Sequence, residues 1–313
     1  MGLIEVESPG LLTTVQDLGR EGFGSMGVSA SGAADAIALR LGNLLVGNAE
    51  AAAALEMTLL GGAFLFPEGG VIALTGSDFG ATLDEKPVEF WRSTEVRKGQ
   101  RLRLGPTKSG ARCYLCVQGG IAVVPFLGSA STHLLSGLGG FEGRALRKGD
   151  VLTVGAAERS FQKRMVAAEA LQLLSPRKVL RVTLGVQADW FSDSSQQLFY
   201  GSVYRVREDS NRMGLRLDGP PVPPHAGGEM ITEGISLGAV QVPESGQPII
   251  SFVEQQTTGG YPVIANVISA DFSSVGQLRP RDEVRFERVE MDQARASLIE
   301  QEKRMASENL IPQ

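Results

Sequence analysis

Alternation of apolar and polar residues with a period of two is the feature that most constrains the fold of this chain. It recurs in LEMTLLGGAFLF, VIALTGSDFGATL, RCYLCVQGG, VLRVTLG and DEVRFERV, with glycine, proline or aspartate between the runs. Such alternation places every second side chain on one face of an extended strand, and the interrupting residues are those that tight turns use. The 39 glycines among 313 residues agree with many turns. The pattern predicts a mainly β protein with a few short helices.

Length and a change in composition predict two β domains. The chain has 313 residues, whereas a typical domain has roughly 100 to 200. The segment 156–175 loses glycine and gains an alanine-rich run, so we take it as a linker between domains at 1–155 and 176–290. Similar strands, KGDVLTVG and PRDEVRFE, end the two halves. We expect the polar tail, 291–313, to form a surface helix.

One helix is predicted after the glycine-rich stretch GLLTTVQDLGREGFGSMGVSASGAAD. We take Ser31 as its N-cap and Gly47 as its end. Ser31 and Asp35 either cap this helix or line a pocket, and both alternatives stay open. The apolar stripe of the helix consists of Ile37, Leu41, Leu44 and Leu45. The glycines expected in turns with positive φ are Gly19, Gly22, Gly24 and Gly27.

Charge and cysteine usage argue against several classes of function. The net charge of −5 gives no basic footprint for nucleic acid. Export signals and bilayer-length apolar runs are absent from the sequence, so we expect a cytoplasmic protein with no membrane partner. Cys113 and Cys116 have an odd separation, which on a strand points the thiols to opposite faces, so we expect two buried free thiols. His133 and His225 are far apart in sequence, so we expect no transition-metal cage, while carboxylate-bound Mg²⁺ stays open.

The polar segment from Gln255 to Tyr261 is the strongest candidate for chemistry. Gly259 and Gly260 can take positive φ and can let backbone N–H groups approach an anion or carbonyl closely. Gln256, Thr257 and Thr258 add neutral donors and acceptors. A hairpin with a glycine turn explains the same residues, and spacing alone does not decide.

Two further side chains are candidates on weaker grounds. Arg212 lies in a predicted turn, where a guanidinium can bind a carboxylate or phosphate through two hydrogen bonds, although a solvated or capping arginine is the default. Asp78 belongs to a Gly-Ser-Asp segment that a plain turn also explains. The sequence has neither a phosphate-binding P-loop nor the glycine-flanked serine of a hydrolase elbow.

Five phrases, in this order, resemble one known family. They are TVQDLGREGFGSMGVSASGAAD, LVGNAEAAAALEMTLLGG, YLCVQGGIAVVPFLGSASTHL, SNRMGLRLDG and QTTGGYPVIA. They closely resemble the allophanate hydrolase subunit 2 or KipA family, also described as the C subunit of 5-oxoprolinase, which is similar to half of the carboxyltransferase domain of urea carboxylases. The resemblance implies two cyclophilin-like β-barrel domains.

The resemblance also implies a function. A chain of this family works with a KipI-like B subunit, together with an A subunit, to hydrolyse 5-oxo-L-proline to L-glutamate with ATP. Without a P-loop here, ATP, with Mg²⁺, is expected to be shared with a partner protein of this complex, and the isolated chain is expected to be inactive. A small amide with a carboxylate would be held by Arg212, Gln256, Thr257, Thr258, Gly259, Gly260 and Tyr261, together with His225 and Gln187.

Alternative functions and departures from the family stay open at this stage. Two alternatives to the 5-oxoprolinase function are the carboxyltransferase component of a biotin-dependent urea or amide carboxylase, with no biotin attached to this chain, and a KipA-like binding protein that antagonises a kinase inhibitor. Family members usually have Asp at the positions of Asn211 and Glu254, and glycine at the position of Arg281. Because Asn211 carries no charge, we expect it not to hold Arg212 as an ion pair.

Overall fold

The computed structural model describes residues 2–157, 162–225, 230–306 and 310–312. The chain divides into two compact units, unit 1 with Met1–Arg20, Ser31–Leu174 and Arg304–Gln313, and unit 2 with Glu21–Ala30 and Ser175–Lys303. Residues 158–161 of the predicted linker, and 307–309 and 313 of the predicted tail, lie outside the described residues.

The strands and helices of both units are numbered along the chain. The strands are β1 Gly2–Ser8, β2 Leu12–Gln16, β3 Ala54–Thr58, β4 Ala63–Phe66, β5 Gly70–Gly76, β6 Thr82–Leu83, β7 Lys86–Pro87, β8 Ser93–Val96, β9 Gln100–Arg103, β10 Arg112–Val117, β11 Ile121–Ala122, β12 Val151–Val154, β13 Arg164–Val166, β14 Val179–Leu184, β15 Tyr204–Val206, β16 Gly214–Asp218, β17 Glu233–Gly234, β18 Ala239–Gln241, β19 Ile249–Ser251, β20 Thr258–Gly259, β21 Val263–Val267, β22 Glu283–Arg288 and β23 Leu310–Pro312. The α-helices are α1 Ala36–Leu45, α2 Ala168–Leu174, α3 Asp193–Gly201, α4 Phe272–Gly276 and α5 Met291–Arg304. The mainly β fold predicted from the alternation is confirmed.

Unit 1 is built from two antiparallel sheets around one apolar core. The first sheet has the order β11-β12-β1-β4-β9-β6-β7, and the second has the order β2-β3-β10-β5-β8. The first sheet contributes Ile4 and Phe64 to the core, and the second contributes Met57 and Leu115, all of them fully buried. These side chains occupy alternate positions of their strands, so the period of two in the sequence produces the buried face of each sheet.

Helix α1 covers the other face of the second sheet. Ile37, Leu41 and Leu45 are buried there with Tyr114, as the predicted stripe requires, while Leu44 is partly buried. The predicted N-cap at Ser31 is wrong, because Asp35 Oδ1 accepts the N–H of Ala38 at 3.0 Å and the helix begins at Ala36.

The glycine-rich stretch before α1 follows its predicted turns with one exception. Gly19, Gly22 and Gly27 take φ of 91°, 88° and 77°. Gly24 instead begins a 3₁₀ turn, Gly24–Met26. Ser31 itself has a φ of 56°, a left-handed conformation that is uncommon for a residue with a side chain.

The two cysteines of β10 point to opposite faces of the second sheet, as predicted. Cys113 lies in the core between the sheets, and Cys116 lies in the cluster beneath α1. Both are free thiols and fully buried. Burial raises the pKa of both thiols, because a thiolate loses its hydration inside the protein.

Unit 2 contains a closed barrel with the strand order β14-β21-β18-β19-β16-β15-β22. A parallel pairing of β14 with β22 is part of the ring, and the other pairings are antiparallel. Helix α3 packs Phe199 against Phe286 of β22, with the ring centroids 4.5 Å apart. A short ribbon of β17 and β20 lies outside the ring order.

The predicted helical tail begins as α5 at Met291 and ends at Arg304. Its last described residues, Leu310–Pro312, form β23 and pair with β13 in unit 1. Among the residues that the structure describes, the helices all fall short of the length and apolar composition needed to cross a membrane.

Candidate functional site

A pocket of about 140 Å³ lies on the outer face of the unit 2 barrel, beside strands β16, β19 and β18. Most of its lining side chains are polar. They are Asn211, Met213, Gly214, Arg216, Ile235, Gln241, Ile249, Ser251, Gln255, Gln256 and Tyr261. The pocket therefore offers amide, hydroxyl and phenol groups to a small ligand.

The pairing register of these strands determines which side chains form the floor of the pocket. Arg216 lies opposite Ile249, and Ile249 lies opposite Gln241, so the three form one row across the barrel wall. The alternate row, which contains Ile250, is fully buried in the barrel. Gly214 lies opposite Ser251, and a Cβ there would stand 3.2 Å from Ile249 Cγ2, a tight contact.

Several polar side chains of the pocket are held in place by hydrogen bonds within the protein. Ser251 Oγ donates to Gln241 Oε1 at 3.4 Å. Gln255 Nε2 donates to the carbonyl of Ile235 at 3.1 Å, while its Oε1 is buried and has no hydrogen-bond partner among the described residues. A buried acceptor without a donor is costly, so this oxygen has an unmet need for a donor.

The predicted loop from Gln256 to Tyr261 is only partly in the pocket. Gln256 and Tyr261 line it, and Tyr261 is half-exposed. Thr257 and Thr258 belong to the adjoining ribbon, where the N–H of Ile235 donates to the carbonyl of Thr257 at 3.0 Å. The substrate contacts predicted for these residues stay predictions.

Gly259 and Gly260 do not have the positive φ that the sequence suggested. Gly259 is instead close to two side chains, since a Cβ there would stand 2.2 Å from Ile235 Cδ1 and 2.9 Å from Gln241 Nε2, so both side chains would have to move. The residue therefore lets the ribbon approach two side chains of the pocket. At Gly260 the nearest atom to an added Cβ would be 3.8 Å away.

Gln187 and His225 lie away from the lining of this pocket. Gln187 Oε1 accepts the N–H of Val263 at 3.1 Å, and its Nε2 donates to Glu233 Oε2 at 3.2 Å. Glu233 is paired with Gly259, so Gln187 supports the ribbon from behind. His225 is exposed, and its backbone N–H donates to the carbonyl of Trp190 at 2.9 Å.

Arg212 is buried and forms an ion pair with Glu254. The backbone N–H of Glu254 also donates to the carbonyl of Arg212 at 2.8 Å. Glu254, and not the uncharged Asn211, supplies the carboxylate that pairs with Arg212. Asn211 itself accepts the N–H of Met213 at 2.8 Å and lines the pocket.

Two other singled-out residues have local structural roles. Arg281 has a φ of 72° and pairs with Glu208 at 2.7 Å, so it adopts the conformation that the family's glycine would take without strain. Asp78 accepts the N–H of Gly80 at 2.7 Å and pairs with Lys108 at 2.7 Å, which favours the turn interpretation.

A buried polar cluster in unit 1 was not predicted from the sequence. Glu56 Oε2 accepts the N–H of Ala34 at 2.8 Å and the hydroxyl of Tyr114 at 2.6 Å, and its Oε1 lies 3.8 Å from Arg112 Nε. Burial, followed by the charge of Glu56, raises the pKa of Tyr114. The sequence did carry a signal for this cluster, namely three polar residues at alternate or facing positions of otherwise apolar strands. Buried polar groups need partners, so such residues are expected to meet.

Asp17, from the opening glycine-rich stretch, anchors a loop of unit 1. Its carboxylate accepts from Ser129 Oγ at 2.6 Å, from Ser131 Oγ at 2.5 Å and from the N–H of Ala130 at 2.6 Å. Arg20 donates to carbonyl oxygens of the same loop, one of them that of Ser131. The polar residues of this stretch thus fix the backbone around them.

Groups of three or more His, Cys, Asp or Glu side chains close enough to hold a metal ion do not occur among the described residues. The lining of the pocket presents hydrogen-bonding groups and the guanidinium of Arg216.

Comparison with known proteins identifies the family. The family described as carboxyltransferase domain, subdomain A and B, matches residues 26–288. The chain is 40% identical to the 5-oxoprolinase C subunit of Escherichia coli (strain K12), over 93% of each chain. It is also 40% identical to the 5-oxoprolinase C subunit of Haemophilus influenzae, over 90% of this chain and 89% of that protein.

A solved structure agrees with these relatives. The crystal structure of the K. lactis urea amidolyase superposes with a TM-score of 0.90 at 31% identity, over 99% of this chain and 21% of that much longer protein. The resemblance seen in the five sequence phrases is thereby confirmed. This chain belongs to the carboxyltransferase domain family, subdomain A and B.

Proposed function

We propose that this chain is the C subunit of an ATP-dependent 5-oxoprolinase, which hydrolyses 5-oxo-L-proline to L-glutamate together with the A and B subunits of that enzyme. The observation that carries the proposal is the 40% identity over 93% of both chains to a protein named as the C subunit of 5-oxoprolinase. Similarity of this extent covers both units rather than one shared module.

The pocket of unit 2 supports this proposal through its size and its chemistry. A volume of about 140 Å³ suits a ligand of a few heavy atoms, since drug-sized ligands occupy roughly 300 to 1,000 Å³. Asn211, Gln255 and Gln256 can each exchange hydrogen bonds with an amide, as the ring of 5-oxoproline requires. The substrate contacts of this pocket are part of the proposal.

A triphosphate nucleotide does not fit the same pocket. The volume is too small, and Arg216 is the single cation among its described lining residues. We therefore assign no ATP contact to it, and ATP with Mg²⁺ belongs to a site shared with the KipI-like B subunit in the proposed complex. On this basis the isolated chain is inactive. The proposal also places the ATP-dependent reaction in the cytoplasm.

The proposal is tested by reconstitution. This chain is co-expressed with homologues of the A and B subunits, and glutamate release from 5-oxoproline is measured with and without ATP. We expect release only from the three-part complex and only with ATP. Association with the B subunit without turnover would instead support a KipA-like binding protein.

A second function is favoured by one observation, the TM-score of 0.90 with the K. lactis urea amidolyase. It is carboxyl transfer to urea or a related amide from carboxybiotin delivered by another protein. The same preparation is therefore supplied with a biotin carboxylase, a biotinylated carrier, ATP, bicarbonate and urea. Carboxylation of urea without 5-oxoproline hydrolysis would replace the first proposal by the second.

A further inference from the structure

Arg216 is the single cation among the described residues that line the pocket. It stands on β16, in the outward row with Ile249 and Gln241. Its ion-pair partner is Asp209, with Nε and Oδ2 3.7 Å apart. Both side chains are about half exposed, at 53% and 52%, so this contact is weakly held.

The carboxylate that pairs with Arg216 is shared with a second guanidinium. Asp209 is held more closely by Arg207, whose Nε and Nη2 donate to its two oxygens at 3.0 and 3.2 Å. Two guanidinium groups therefore share the carboxylate of Asp209, while Asp218 is a second carboxylate near Arg207. None of the described residues that line the pocket is acidic. An anion that enters gains a partner without displacing a strong ion pair.

Arg212, the cation identified from the sequence, differs from Arg216 in its exposure and in its ion pairing. It is buried, it is absent from the pocket lining, and Glu254 neutralises its charge. Using Arg212 to bind a substrate would leave the carboxylate of Glu254 buried without its partner, which is strongly unfavourable.

Amide side chains line the same pocket as the cation. Gln255 Oε1 is buried and lacks a hydrogen-bond partner among the described residues, and Asn211 and Gln256 carry further amides on the wall. The site thus pairs one cation with neutral donors and acceptors.

We propose that this pocket binds a small amide that carries one carboxylate, with Arg216 as the anchor of the carboxylate and the neighbouring Gln and Asn side chains as partners of the amide. The identification of that ligand as 5-oxo-L-proline rests on the proposed function. A guanidinium binds a carboxylate through two parallel hydrogen bonds, which fixes the orientation of the ring.

The test compares two ligands that differ only in the carboxylate. Binding of 5-oxo-L-proline and of 2-pyrrolidinone is measured by titration, with the full chain alone and with the chain in complex with the homologues of the A and B subunits. The wild-type protein should prefer 5-oxo-L-proline. Arg216→Gln should weaken its binding by about 10- to 100-fold, the equivalent of a charge-assisted contact, and leave 2-pyrrolidinone unchanged. The control is Arg288→Gln, an exposed arginine of β22 paired with Glu290, which should change neither.

The outcomes separate this inference from the proposed function. If the complex hydrolyses 5-oxo-L-proline and Arg216→Gln leaves KM and the preference between the ligands unchanged, the subsite is refuted and the proposed function stands. If the complex does not hydrolyse it, yet binding depends on Arg216, the subsite stands and the proposed function fails. Absence of 5-oxo-L-proline binding by the wild-type chain, both alone and in the complex, refutes the subsite.

Discussion

The pair of Arg212 and Glu254 shows how a buried charge is maintained. Each side chain is at most 5% exposed, so both have lost most of their hydration and depend on one another. The attraction between the two charges compensates for that loss only while both are present. The pair is therefore a structural element of the segment before the pocket, and its removal should affect folding before it affects binding.

Arg212→Ala is expected to lower the free energy of unfolding by about 3 to 5 kcal/mol, because the Glu254 carboxylate would remain buried without a counter-charge. Chemical denaturation followed by circular dichroism measures the change. The matched control is Arg205→Ala, which breaks an exposed pair with Glu283 and should cost at most about 1 kcal/mol. Equal effects of the two substitutions would show that Arg212 is not held as described.

Gly259→Ala tests why a glycine is present in the ribbon. The added Cβ would displace Ile235 and Gln241, which both line the pocket, so we expect weaker binding of the pocket's ligand with a small loss of stability. Gly260→Ala, with no atom nearer than 3.8 Å, should change neither. Adding Ile235→Val removes the atom that the new Cβ meets first and should restore part of the binding. Equal binding by all three variants would contradict this role of Gly259.

At the scale of elements, helix α1 illustrates a hydrogen bond that fixes where a helix begins. Asp35 caps the helix through the N–H of Ala38, and it follows a segment in which Ser31 has positive φ. Both residues are of types that commonly cap helices, and they are separated by only four positions. The backbone conformation around them decides which one caps, and spacing does not reveal it.

Asp35→Ala is expected to lower the free energy of unfolding by about 1 kcal/mol, within a range of about 0.5 to 2, through loss of the cap. Thermal or chemical unfolding monitored by circular dichroism provides the value. Asp35→Asn keeps a capping oxygen and should lose less. Ser31→Ala removes no cap, so a loss from it as large as that of Asp35→Ala would overturn the assignment of the N-cap.

The elements also show what the sequence could and could not predict. Strand β10 was predictable down to the opposite directions of its two thiols, because a period of two is a local property. The partnership of Arg212 with Glu254 joins residues 42 positions apart, and nothing local signals it. Arg216 sits in a regular alternating strand and so did not stand out as a candidate. Gly259 was correctly seen as special, but its reason lies in contacts with distant residues.

At the scale of the whole molecule, the chain combines two β units whose cores are stabilised by burial without disulfides in the described residues. Unit 1 closes its core between two sheets, and unit 2 closes a barrel, whose outer wall carries the candidate pocket. The period of two predicted strands in both units. The order in which strands pair depends on contacts between residues far apart in sequence. The alternation therefore did not reveal that unit 1 has two facing sheets and unit 2 a closed barrel.

The two thiols of unit 1 report on its folding. Because burial raises the pKa of Cys113 and Cys116, the folded state favours the neutral thiols. This contribution to stability is fully present below the unfolded thiol pKa of about 9 and decreases as the pH rises above it, since only the unfolded chain then loses protons. We expect the unfolding midpoint to fall between about pH 9 and 10.5, and less in Cys113→Ala/Cys116→Ala, which lacks both thiols. Labelling with a thiol reagent at pH 8 should proceed only as the protein unfolds, and fast labelling of the native protein would contradict the burial of both side chains.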